Sequence, residues 1–302
     1  MGASQLVGQS LESLVVAPSP LVSIGELEGD KAFLLHGVTD ATRLSTGEIA
    51  IVNCFSREVR YFDPLGRHVR TVGGEGSGPG ESRQILTSLI RAGGDSIAVV
   101  ENRFIDEIAH LFGPSGEFVR TVRPPRGVEI HSRLSSGEFV GLRSGNHVTV
   151  RRQRLEGVDT VFATLFTLTK DGSVRDSLPG QFLLEMYFAE PQVFRPVRFW
   201  TRTTLASLGD TILYGDTRDA SIEMWDSKWN AIGEMRAGEP GAPISEAERE
   251  MWNQTDVRIA RMPLRSNRYP SHSRFAAPVR ASYSGVRVGR DGGVWVQDPE
   301  WL

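Results

Sequence analysis

The chain has 302 residues, of which 39% are hydrophobic and 24% charged, and a formal charge of -3; this is the balance of a soluble globular protein and argues against a nucleic-acid binder of the basic-patch kind, leaving room only for a local patch. No apolar run approaches the roughly 18 residues that a membrane-spanning helix needs. Cys54 is the only cysteine, which excludes an intramolecular disulfide, and its place in the strand-like run from Ile49 to Phe55 marks it as a small core residue rather than a nucleophile.

Taken in chain order, the first residues, Met1 to Leu6, lack the charged region and apolar core of a secretory signal, and Leu6 stands where a myristoylation motif wants Ser or Thr. Residues 1–19 read as an N-terminal extension, with any export signal absent or removed. Pro20 to Leu27 reads as a lone strand. From Arg43 to Val52 a short strand, a turn containing Gly47-Glu48 and a second strand follow one another, and the plan returns at Arg133 to Val140 with Gly137-Glu138. Looser copies lie at Ile90–Val99, Leu205–Tyr214 and Val286–Val296. In each, glycine beside an acidic residue or a second glycine accepts the positive φ of a tight hairpin, and the β-branched and aromatic residues around it suit a pleated surface.

A second hairpin follows each first one at a steady offset. Val59 to Val72 and Ile108 to Val122 place Asp63-Pro64-Leu65-Gly66 and Gly113-Pro114-Ser115-Gly116 between alternating runs, where proline presets φ and glycine takes the left-handed position. Phe166–Arg175 and Ile222–Ile232 are degenerate versions. Two hairpins make four strands, and four-stranded units recurring every 40 to 50 residues or so are the mark of a β-propeller blade. The third blade is stretched by an insertion near Arg151 to Asp159. A longer insertion precedes the fifth, in which Ser245 and Glu248 fit a capping box that starts a helix running to about Met262 before Pro263.

The expected fold is therefore all-β: a propeller of four-stranded antiparallel blades over residues 20–302, with about four and a half blades present. Pro20–Leu27 would supply the outermost strand of the last blade, and the C-terminal side reads as truncated, leaving an open edge. The run from Phe62 through Gly73-Gly74-Glu75-Gly76-Ser77-Gly78-Pro79-Gly80 to Glu81 resembles the bacterial six-bladed propellers related to NHL-repeat and TolB-like proteins. That resemblance implies six blades and an exported, periplasmic or extracellular location. It implies no single activity, since one fold hosts unrelated functions.

The glycine-rich stretch from Gly73 to Gly80 lacks the Lys-Ser or Lys-Thr of a phosphate loop and lies between hairpins, so it reads as an inter-blade connection. The histidines, His36, His68, His110, His131, His147 and His272, include no pair at the close spacing of a zinc site. No Gly-x-Ser-x-Gly elbow occurs. No catalytic residue, cofactor or metal ligand is assigned.

The innermost strands of a propeller line its channel or mouth. They are expected near His36–Leu44, Leu86–Arg91, Glu129–Leu134, Val197–Leu205 and Val279–Val288. These runs carry Asp40, Arg91, His131, Arg133, Arg202 and Arg280, the candidate ligand-binding residues, together with His36, Arg43, Glu129, Arg198 and Tyr283. The rigid arginine fork suits carboxylate or phosphate, so the expected function is a monomeric, non-catalytic scaffold binding a small anion, a peptide or a protein on its channel face. Two alternatives accompany it. The arginines would instead pair with Asp40, Glu129 and carbonyls between blades, or distant histidines and carboxylates would meet in the channel of a metal-dependent hydrolase or lyase.

Overall fold

A computed structural model of the chain describes residues 18–103, 106–145, 157–190, 193–196, 202–248, 250–251, 254, 281–282, 285–289 and 292–297. The first sheet runs β1 (Val38–Arg43), β2 (Ile49–Asn53), β3 (Glu58–Phe62) and β4 (His68–Gly73), each antiparallel to the one before. The second repeats it with β5 (Leu86–Arg91), β6 (Ile97–Asn102), β7 (Glu107–Phe112) and β8 (Phe118–Val122). The third contains β9 (Glu129–Arg133), β10 (Phe139–Ser144), β11 (Gly157–Leu168), β12 (Val174–Glu190) and β13 (Val193–Pro196) in sequence order. A fourth holds β14 (Thr203–Leu208), β15 (Thr211–Asp216), β16 (Ser221–Trp225) and β17 (Ala231–Arg236), and a hairpin of β18 (Gly285–Val288) and β19 (Val294–Gln297) follows. These are the up-and-down blades of an all-β propeller, four among the described residues with a two-stranded hairpin beside them.

The expected insertion near Arg151 to Asp159 lies mostly outside the described residues. Within them, β11 and β12 are far longer than their counterparts, and a fifth strand, β13, pairs on the end of β12. Alternation within one hairpin gave no sign of that extra strand. At the expected helix, Ser245 and Glu248 form the reciprocal capping box: the Ser245 N–H donates to the Glu248 carboxylate at 3.0 Å, and the Glu248 N–H donates to the Ser245 hydroxyl at 3.3 Å. Glu246 to Glu248 are helical; the expected end near Met262 lies outside the described residues.

The chain divides into two compact units, one of Met1–Gly141 with Thr167–Arg175 and one of Leu142–Phe166 with Asp176–Leu302. Within the first, β1, β5 and β9 are successive neighbours and so form its innermost strands. The second strands, β2 and β6, are buried along nearly their whole length, which explains their unbroken apolar runs: both faces are covered. The outer strand β4 instead alternates half-buried and exposed positions. Leu44, Val52, Tyr61, Leu86, Ile97 and Phe112 pack into one core shared by the first two sheets. In the second unit Ala206, Leu213, Ile222, Ala237 and Val286 do the same for β14–β17 and the β18–β19 hairpin.

The outer turns pack by the same rule. A Cβ on Gly116, whose φ is +89°, would sit 2.8 Å from Val72 of the first sheet, so the glycine is required by both conformation and space. Gly66 occupies the same place in the first sheet and meets Val22 and Ile24. The segment 20–27 thus lies against Gly66 as the outer strand β4 lies against Gly116, with Val22 and Ile24 half-buried and Leu21 and Ser23 exposed. The loop from Gly73 to Gly80 joins β4 to β5, as the hairpin reading expects. Its own Glu81 carboxylate accepts the Gly78 N–H at 2.7 Å, and Gly80 abuts Phe112 and Phe118.

Candidate functional site at the ends of the innermost strands

Arg43, Arg91 and Arg133 are the last residues of β1, β5 and β9. All three therefore stand at the same end of the first unit, beside the inner hairpin turns. Arg43 folds over its own turn, Nε donating to the Gly47 carbonyl at 3.3 Å. Arg91 is exposed and lies near the Asp95 carboxylate. Asp95 in turn accepts the hydroxyl and the N–H of Ser45, and these bonds hold its carboxyl below the usual range. Arg133 is half-buried: Nη1 donates to the Ala92 carbonyl of the second sheet, and the guanidinium stands 5.7 Å from the Phe139 ring centroid. Burial first, and then the positive charge of Arg120, lower its proton affinity.

Asp40 lies three residues before Arg43, and His131 two before Arg133, nearer the other end of their strands. Asp40 accepts the Leu89 N–H of β5 at 2.9 Å and the Ala41 N–H at 2.8 Å. Its carboxylate thereby ties the first innermost strand to the second, a contact of the inter-blade kind. His131 is exposed, 3.8 Å from the Glu129 carboxylate. Glu107 of β7 accepts the Ile130 N–H at 2.8 Å, and burial pushes its carboxyl above the usual range, with Glu129 adding to the shift and His131 opposing it.

Arg202 belongs to the second unit. Its backbone N–H donates to the Thr217 hydroxyl at 2.8 Å and its carbonyl accepts the Thr217 N–H at 3.1 Å. Arg280, Arg198 and Tyr283 lie outside the described residues. The structure therefore brings together Arg91, Arg133, Asp40 and His131 in one unit, with Arg43, and adds Arg120 and Glu107, which strand-by-strand reading overlooked because neither is on an innermost strand.

The buried polar centre of the second sheet was also missed. Glu101 is fully buried, and its carboxylate accepts Arg103 Nε at 2.9 Å and the Gln84 N–H at 3.2 Å, with His110 Nε2 at 2.9 Å. Burial works to raise the Glu101 carboxyl, but the Arg103 and His110 hydrogen bonds outweigh it and hold the group below the usual range. Among the described residues no three His, Cys, Asp or Glu side chains stand close enough to hold a metal ion, and no helix is long and apolar enough to cross a membrane.

No protein-family model matches the chain, and no curated protein matches it. Among solved structures the chain is similar to a putative exported protein from Bacteroides fragilis, at 12% identity over 71% of this chain and 75% of that one, with a TM-score of 0.38. It is similar to a catalytically inactive virginiamycin B lyase from Staphylococcus aureus solved with quinupristin, at 10% identity over 87% and 78%, TM-score 0.36. It is also similar to apo AztD from Citrobacter koseri, at 13% identity over 69% of this chain and 49% of that one, TM-score 0.37.

Proposed function

We propose that this propeller is a non-catalytic binding scaffold for a small anionic ligand, held where the innermost strands end. The observation that carries the reading is the register of Arg43, Arg91 and Arg133, each closing one of three consecutive innermost strands. Three guanidinium groups in an arc raise the local potential and present forked donors to a carboxylate or phosphate. Arg91, exposed on that arc, is the residue most available to a ligand. His131 and the charged end of Arg133 complete the candidate set, while Asp40 serves the scaffold through its backbone acceptor role. The blade motifs are our ground for reading the kinship as six-bladed, of the NHL-repeat and TolB-like kind.

The test is a thermal-shift screen of the purified chain against citrate, phosphate and sulfate, followed by calorimetric titration of the anion that binds. Arg91→Ala removes an exposed charge-assisted donor worth roughly 1.5–3 kcal/mol, so affinity should fall about tenfold or more. Unchanged affinity in both Arg91→Ala and Arg133→Ala would remove the reading.

A further inference from the structure

In the first and third sheets the glutamate after the inner-turn glycine pairs with an outer-strand arginine, in two different registers: Arg70 stands four residues after Gly66, and the more exposed Arg175 stands three after Gly172. Arg70 of β4 crosses the Tyr61 ring, 3.9 Å above its centroid, and donates Nη1 and Nη2 to the Glu48 carboxylate at 2.9 and 3.0 Å. In the third, Arg175 at the start of β12 pairs with Glu138, which follows the inner-turn glycine just as Glu48 does. The second sheet keeps the arginine and lacks the acid. Leu111 opposite Arg120 and Ile97 opposite Phe112 match Tyr61 opposite Arg70 and Ile49 opposite Phe62, so Arg120 is the counterpart of Arg70. The residue before Ile97, where Glu48 stands before Ile49, is Ser96.

Among the described residues Arg120 has no acidic partner. Its Nε is buried without a hydrogen-bond acceptor, as is the Nε of Arg70, whose guanidinium meets Glu48 through Nη1 and Nη2 instead; the contrast between the two lies in that carboxylate. Other cations crowd the same seam. Arg133 Nη2 and Lys170 Cε lie 3.0 and 2.9 Å from the point a Cβ on Gly137 would occupy, so the two side chains meet over that turn. The Ala92 carbonyl that holds Arg133 belongs to the residue whose N–H bonds the Ser96 carbonyl at 2.8 Å. The carboxylates adjacent in sequence are already engaged: Asp95 with Ser45, Asp171 with Thr169 and Ser173, and Glu138 with Arg175.

We propose that a carboxylate of a small ligand takes the place of the missing glutamate, bridging Arg120 to Arg133 and Lys170 at the seam between the second and third sheets. A carboxylate accepts two parallel N–H bonds from one guanidinium and still offers lone pairs to its neighbours, and it relieves the mutual repulsion of the cations. The proposal rests on the anion-binding reading above and gives it a chemical class and a seat.

The probe is citrate, titrated into the full chain by calorimetry at low ionic strength, with Tm recorded beside it. Ser96→Glu supplies the carboxylate from the chain itself; it should raise the Tm without citrate and weaken citrate at least tenfold. Arg120→Leu, checked for native circular dichroism, should also weaken citrate at least tenfold, and it decides the matter if Ser96→Glu does not fold. Lys170→Gln should weaken it about threefold. Saturable citrate binding that is unchanged in Ser96→Glu and Arg120→Leu but lost in Arg91→Ala would overturn this seat and leave the anion-binding function standing. No saturable binding by the unmodified chain would overturn both.

Discussion

The Asn53 side chain, wholly buried at the end of β2, accepts the backbone N–H of His36 at 2.7 Å where the chain enters β1. The second sheet makes the same bond with Glu101 and the Gln84 N–H, and the fourth with Thr217 and the Arg202 N–H. In each, a polar side chain at the far end of the second strand pins the entry to the innermost strand, so a part-buried backbone donor that precedes the ladder is satisfied.

Asn53→Ala should therefore destabilise the chain by roughly 0.5–1.5 kcal/mol, the net worth of an intramolecular hydrogen bond. Asn53→Asp keeps the acceptor for His36 and loses the Nδ2 donor that reaches the Leu34 carbonyl, so it should fall between the two. Urea unfolding followed by far-UV circular dichroism reads the order; an Asn53→Ala midpoint equal to that of the parent contradicts the latch.

Glu101 gives stability a pH dependence of known sign. Its carboxyl is held below its ordinary value of 4.5 in the folded chain, so the folded state binds fewer protons than the unfolded state below that value. The stabilisation is complete above about 4.5 and is lost as pH falls toward the lower folded value. Between pH 6 and 3 the parent should lose stability more steeply than Glu101→Gln, which carries no charge to protonate. Parallel slopes for the two would contradict this assignment. At pH 7 the same substitution removes the charge that meets the partly exposed Arg103 and should cost roughly 1.5–3 kcal/mol.

Gly116→Ala and Gly94→Ala separate conformation from space. Gly116 has φ +89° and a Cβ there meets Val72 at 2.8 Å, while Gly94 has φ +54° and nothing within 4 Å. Both substitutions bear the left-handed penalty of about 1–2 kcal/mol. Only Gly116→Ala must also push the β4 strand aside, so its denaturation midpoint should drop further. Equal losses would mean that the outer turn has room to shift.

Trp229 occupies the outer-turn position that Gly66, Gly116 and Gly172 fill elsewhere, with φ +61° and 7% exposure. Trp229→Gly relieves about 1–2 kcal/mol of left-handed strain and removes a buried indole worth roughly 3–5 kcal/mol. The burial term is larger, so the substitution should destabilise the chain by about 2 kcal/mol in a chemical denaturation. A gain in stability would show that the indole contributes less than its backbone strain costs.

Turn chemistry and strand alternation are local, and they made the four-stranded repeat, the strands Leu86–Arg91 and Glu129–Arg133 and the Ser245 capping box readable from residues alone. Glycine at a left-handed position and apolar runs with period two act within a few residues of themselves, so no distant partner is needed to recognise them. The added strand β13, the Ala92 anchor of Arg133 and the burial of Glu101 with His110 were decided by tertiary structure. Ser96 in place of a glutamate is plain in the sequence, yet it acquires meaning only when Arg120 of an outer strand crosses toward it. Whether a charged side chain is a tie or a vacancy depends on which acceptor a neighbouring sheet brings within about 3 Å, and chain order alone does not encode that distance.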